Sequence, residues 1–167
     1  MSFPFLEICA ADEVPSFASR SLTHLISIRN PGAPSSRPSW FQGEILELRF
    51  GDVFSERDAR ACQTVAATAD DVRRAIEFAS AAFRSSSRML VSCDYGASRS
   101  PAIAYVVLAA QAGPGLEEEC FQHILAIRPV AFPNKHIVRL GDACLSRSGA
   151  LLIPFQKYEK QFFNDPL

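Results

Sequence analysis

Four short runs rich in isoleucine, leucine, valine or phenylalanine punctuate the chain: Phe5–Cys9, Thr23–Ile28, Ile45–Phe50 and Met89–Cys93. Each ends at polar or turn-forming residues, which predicts β-strands. Between the third and fourth, Thr68 opens TADDVRRAIEFASAAF, where Val72, Ile76, Phe78, Ala79 and Phe83 approximate helical spacing and Asp70 and Asp71 occupy the first turn. A helix follows from that pattern. After the fourth strand, PAIAYVVLAA is apolar nearly all round, so a helix from Pro101 to about Ala112 should be buried; the Gly113–Gly115 break ends it. Glu117–Ile127 predicts a further helix stopped by Arg128-Pro129, and Pro133-Asn134 introduces a last one, about Lys135–Ser146, with Asn134 as its N-cap.

This order predicts an α/β fold, with a mainly parallel central sheet flanked by helices. The stretch Asn30–Ser39, with Pro31, Pro34 and Pro38, is a loop and not a linker, because the segment before it is too short to form a core. A chain of 167 residues that is 48% hydrophobic fits one domain over 1–167, whose tail, about 151–167, could be a packed extension or a docking peptide, with packing the favoured reading.

Charge and cysteine usage narrow the function. The net charge of -1 gives no reason to expect nucleic acid or an anionic membrane as partner. The start, MSFPFLEICAADE, lacks a basic leader, and the longest apolar stretch falls short of the roughly 20 residues that span a bilayer, so a soluble cytoplasmic protein is expected. The five cysteines form no CxxC pair and have no histidine at ligand spacing, which argues against a disulfide framework and a zinc site.

One cysteine stands apart. In VSCDYGASRS, Cys93 ends a predicted strand and Arg99 stands just before a predicted helix. Such a loop can curl so that its backbone N–H groups converge at a helix N-terminus, where the macrodipole favours a phosphate. Gly96 permits a conformation or close approach denied to larger residues, and Ala97 and Ser98 leave the floor uncluttered. Arg99 can hold two phosphoryl oxygens at once. The same positive field favours a thiolate at Cys93, which could attack phosphorus and split hydrolysis into two steps.

Residues Cys93–Ser100 resemble the CxxGxSRS form of the CX5R signature of cysteine-based protein tyrosine phosphatases, especially the dual-specificity branch. The Arg128-Pro129 and Pro133-Asn134 pairs are similar to the segment that follows that loop in the branch, and the likeness is to its small bacterial members. The resemblance covers roughly Ile45 to Leu145. It implies phosphomonoester hydrolysis without metal or other cofactor. Cys93 would be the nucleophile, Arg99 the clamp, and Ser100 the group that assists thiolate departure. The backbone of Asp94, Tyr95, Gly96, Ala97, Ser98 and Arg99 would cradle the phosphoryl group. The family's acid, an aspartate after an earlier strand, falls on Asp52 or on Asp58 in the same loop.

Implied substrates are phosphotyrosine, phosphoserine or phosphothreonine proteins or related phosphate esters, with phosphate, sulfate or vanadate as oxyanion ligands. Asp94, and the lack of a lysine in the loop, argue against highly phosphorylated lipids. The family's usual histidine before the cysteine is replaced by Ser92, which keeps a hydrogen-bonding group but no imidazole or positive charge. That leaves open a weak or silent phosphate-binding module. Asn134 could brace the loop from behind as well as cap its helix, whereas His24, His123 and His136 are scattered and expected to pack or face solvent.

Overall fold

The computed structural model describes residues 3–35 and 37–164. Strands β1 (Phe5–Ala10), β2 (His24–Arg29), β3 (Glu44–Arg49) and β4 (Arg88–Cys93) make one fully parallel sheet in the order β1-β4-β2-β3. Its helices are α1 (Glu56–Ala61), α2 (Ala69–Phe83), α3 (Arg99–Ala112), α4 (Glu117–Ile127), α5 (Lys135–Cys144) and α6 (Leu152–Asn164). The predicted α/β fold with a parallel sheet is the observed one.

Both faces of the sheet are apolar, as parallel strands covered on two sides require. Leu6, Ile8, Ile26, Ile28, Leu48, Met89 and Val91 join the helices in the main core. Cys9, Leu25 and Leu90 project the other way, onto Val14 of a short 3-10 helix (Val14–Arg20) and onto Phe41. The long helices therefore gather on one face, and the second face is closed by a 3-10 turn and part of the proline-rich loop.

The bounds of the strands and helices that were expected are met to within two residues. Helix α3 starts at Arg99, so that Arg99 and Ser100 belong to its first turn. The prediction placed its start after them because proline tolerates the first turn and Pro101 looked like the opening residue. Helix α1 and the 3-10 helix were not predicted, since six or seven residues carry too little periodicity to register, and α6 was not predicted either: Lys135–Ser146 was expected to be the last helix.

Helix α2 begins with a capping box: Asp71 N donates to Thr68 Oγ1 at 3.2 Å, and Thr68 N donates to Asp71 Oδ2 at 2.9 Å. Helix α3 is the central one, buried from Arg99 to Ala109 and packed on β4, β1, α2, α4 and α5. Gly141 lets α5 come this close, since a Cβ there would lie 2.3 Å from Val106 Cγ2. Leu151 and Phe155 are buried, and Tyr105 Oη donates to the Leu151 carbonyl at 3.1 Å.

Candidate active site

Because β4 lies between β1 and β2, its last residue, Cys93, emerges at the carboxyl edge of the sheet, where open α/β sheets hold their ligands. Asp94–Ser98 then carry the chain to the N-terminus of α3. All five carbonyls of this loop accept hydrogen bonds from outside it. Ala11 N donates to Asp94 O at 3.3 Å, Phe132 N to Ala97 O at 2.7 Å, and Asn134 N to Ser98 O at 3.1 Å. Arg128 donates through Nη2 to Tyr95 O at 3.4 Å and through Nε to Gly96 O at 3.1 Å.

In a planar trans peptide the N–H points opposite to the C=O. With the carbonyls drawn outward, the loop N–H groups turn inward, and among the described residues no acceptor meets those of Tyr95 to Ser98. Gly96 makes the curl possible. Its φ of +64° favours glycine, and a Cβ would sit 2.6 Å from Ala10 N and 2.7 Å from Arg128 Nη2.

Cys93 is 2% exposed, and Ser100 Oγ donates to its Sγ at 3.1 Å. The predicted pairing of nucleophile and helper hydroxyl is therefore in contact distance. Two buried cysteines elsewhere are held as thiols. Burial, with Glu13 adding, pushes Cys9 up to about 12, and burial pushes Cys120 up to about 11.

The guanidinium of Arg99, 2% exposed, is divided between scaffold and loop. Nη1 donates to Asn30 Oδ1 at 2.8 Å and to the Phe50 carbonyl at 2.9 Å, which uses both of its hydrogens. Nη2 donates to Asp94 Oδ2 at 2.6 Å, while Nε is buried without a partner among the described residues. A buried, unpaired N–H on a charged group is costly. The Nε edge is thus left for an acceptor that the folded chain does not supply.

The two candidate acids separate clearly. Asp52 is exposed beside the loop; its Oδ1 accepts from Ser98 Oγ at 2.7 Å and from Asn134 Nδ2 at 2.8 Å, and Oδ2 has no hydrogen-bond partner among the described residues. Asp58 lies in the first turn of α1, where its N–H donates to the N-cap Ser55 Oγ at 3.1 Å and Ser55 Oγ donates to its Oδ2 at 2.8 Å. The long segment between Asp52 and Cys93 is absorbed by α1. Val53, Ala59 and Ala66 form a small cluster, and Gly51 N closes the excursion by donating to Val65 O at 2.8 Å.

The side chain of Asn134 joins two segments. Its Oδ1 caps α5 by accepting from His136 N and Ile137 N, while Nδ2 holds Asp52 Oδ1 and the Val53 carbonyl. Ser92 is placed differently. It is buried on the far face of β4, opposite Ser27, and lines a groove of about 160 Å³ with Arg29, Val14 and Pro38. No hydrogen bond joins it to the loop. The side chain of Tyr95 is 80% exposed and that of Asp94 bridges Arg99 and Arg29.

Three supporting residues escaped the sequence reading. Asn30 was only the first residue of the proline-rich loop, and Arg128 was part of a matched pair without an assigned task. Glu13, in an unremarked acidic pair, holds Arg128 Nη1 at 2.9 Å and accepts from Ala10 N at 2.6 Å. Only the position of Arg128 in the RP pair offered a signal. No cluster of three or more His, Cys, Asp or Glu side chains suited to a metal ion occurs among the described residues, and no described helix is long and apolar enough to cross a membrane.

The parallel sheet, the signature loop at its carboxyl edge and the helix that follows make the fold of cysteine-based phosphatases, in its dual-specificity form. Human DUSP28 superposes with a TM-score of 0.67 at 21% identity, over 88% of this chain and 95% of its own. A mouse putative dual specificity phosphatase, complexed with zinc tungstate, gives 0.65 at 20% identity over 89% and 86%. A human tyrosine phosphatase-like serine/threonine/tyrosine-interacting protein gives 0.59 at 20% identity over 93% and 87%. These likenesses do not single out a bacterial group. No family model and no curated protein matches the sequence.

Proposed function

We propose that the protein hydrolyses phosphate monoesters through a phosphocysteine intermediate. The observation that carries this reading is the loop itself: five carbonyls turned outward, N–H groups turned inward without acceptors, and the buried Nε of Arg99, at the end of the loop, unpaired among the described residues. Backbone amides and a guanidinium edge arranged in this way suit the equatorial oxygens of a transferring phosphoryl group.

In the first step Cys93 Sγ attacks phosphorus; the S–P bond forms as the ester P–O bond breaks, and Asp52 gives its proton to the departing oxygen. In the second, water attacks phosphorus, Asp52 takes its proton, the S–P bond breaks, and the thiolate leaves toward the Ser100 hydroxyl. Asp52 Oδ1 is fixed by Ser98 and Asn134, which leaves Oδ2 for the proton transfers. Phosphotyrosine, phosphoserine or phosphothreonine proteins, or smaller phosphate esters, are the substrate class, and phosphate, sulfate, vanadate or tungstate the expected oxyanion ligands. The free state of all five cysteines supports a reducing compartment such as the cytoplasm.

Hydrolysis of an aryl phosphate should persist in excess chelator. Asp52→Asn should lower kcat by about 10²-fold or more for alkyl phosphates, and much less for p-nitrophenyl phosphate, whose leaving group needs no proton. Equal losses on both substrates would remove Asp52 from the acid role.

The isolation of Ser92 from the loop favours a second reading, a phosphate-binding module with slow or no turnover. The two readings part on Ser92→His, a substitution that the adjoining groove can accommodate. A gain in kcat by tenfold or more would mark an enzyme that is intact but under-activated, in the range that one positioned side chain contributes. Oxyanion binding without turnover in both proteins would establish the module.

A further inference from the structure

Four buried side-chain polar atoms among the described residues lack a hydrogen-bond partner, and two of them are the Nε atoms of Arg29 and Arg99. These two guanidinium groups stand on either side of one carboxylate. Asp94 Oδ2 accepts from Arg99 Nη2 at 2.6 Å, and its Oδ1 lies 3.3 Å from Arg29 Nε, close enough for attraction but without hydrogen-bond geometry. The carboxylate is thus committed to Arg99 and held loosely by Arg29.

The anchoring differs on the two sides. Arg99 is nearly fully buried and fixed by Asn30 and the Phe50 carbonyl, whereas the Arg29 side chain is 26% exposed and its Nε has no hydrogen-bond partner among the described residues. A buried guanidinium needs a counter-charge, and in the unliganded protein Asp94 supplies it. A phosphoryl group entering the cradle brings its own negative charge to the same cation. Two anions then meet at Arg99, and only Asp94 has somewhere else to go.

We infer that Asp94 is an intramolecular competitor for the phosphate clamp: its carboxylate neutralises Arg99 in the empty site and passes to Arg29 when an oxyanion binds, so it sets the affinity of the loop. This rests on the reading of the loop as a phosphate cradle. The consequence is a site that free inorganic phosphate fills poorly, so that an ester must gain binding from contacts beyond its phosphoryl group.

The test is calorimetric titration of the full chain with inorganic phosphate and with tungstate, for the parent, Asp94→Asn, Asp94→Ala, Arg29→Ala and the charge-balanced double variant R29A/D94N. Removing the carboxylate should tighten phosphate binding by about tenfold or more, since a like charge beside a bound anion opposes it strongly. The apo form should melt earlier and gain more from added phosphate, because Arg99 has lost its counter-charge and the anion restores it. Arg29→Ala alone should weaken binding, and should have little effect once Asp94 is neutral.

Unchanged or weaker binding in both Asp94 variants would overturn the inference and make Asp94 a residue that orients Arg99. An equal effect of Arg29→Ala in both backgrounds would also overturn it, because Arg29 would then be acting on the anion directly. Parent binding with no response to Asp94 leaves the cradle standing without its competitor. If no protein of the series binds either anion, the cradle itself fails and the inference with it.

Discussion

Cys93→Ser should abolish turnover of p-nitrophenyl phosphate, by at least about 10⁴-fold, as removal of a covalent nucleophile does in other enzymes. The physical reason is the difference between a thiol and a hydroxyl in the same place. A thiolate can be held at neutral pH by a helix N-terminus and a nearby guanidinium, whereas an alkoxide cannot, and serine has no adjacent general base here. Ser100 Oγ is the polar side-chain group bonded to Cys93, and it donates to the sulfur. A donor stabilises the leaving thiolate but cannot take a proton from a serine at position 93.

The same substitution should leave phosphate or tungstate binding within a few-fold of the parent. Serine is smaller than cysteine, the carbonyl bonds that curl the loop come from Ala11, Arg128, Phe132 and Asn134, and none of them involves Sγ. Retained binding with lost turnover is the signature of a nucleophile. Turnover that survives, measured by initial rates with the anion affinity alongside, would place the chemistry elsewhere than Cys93.

Much of this site was legible in the sequence because its central part is local. Cys93, Gly96, Arg99 and Ser100 lie within one strand-to-helix turn, so spacing along the chain is spacing in the site. The fold was legible for a related reason. Its strands and long helices announce themselves by period, and the parallel sheet follows from their alternation. What stayed hidden is the support that reaches the loop from distant segments. Asn30, Arg128 and Glu13 meet it only through the packing of β1, β2 and the segment after α4. Asp52 was separable from Asp58 only once Ser98 and Asn134 were seen on its carboxylate, because both aspartates share one loop and one residue type. Ser92 shows the opposite case, in which a neighbour in sequence is not a neighbour in the site. Alternation along β4 sends it to the far face of the sheet.

Arg99→Lys should remove most of the activity, although the charge is kept. The guanidinium spans two tasks that an ammonium cannot span. Its Nη1 is spent on Asn30 Oδ1 and the Phe50 carbonyl, and the opposite edge, Nε with the second Nη2 hydrogen, is the part free to hold an oxyanion. A lysine Nζ that reaches Asn30 leaves the cradle, and one that faces the cradle leaves a buried carbonyl and amide unpaired, at about 1–3 kcal/mol of stability. The expected loss in kcat/KM for an aryl phosphate is about 10²–10³-fold, the range seen when one oxyanion donor is removed, with a matching fall in phosphate affinity. Asn30→Ala separates the two tasks, since it keeps the guanidinium and removes one anchor. It should lower kcat/KM by about tenfold, a geometric penalty smaller than the loss of the clamp. An Arg99→Lys protein that stayed within threefold of the parent would mean that positive charge alone suffices at this position, and that the free edge of Arg99 is not what holds the phosphoryl group.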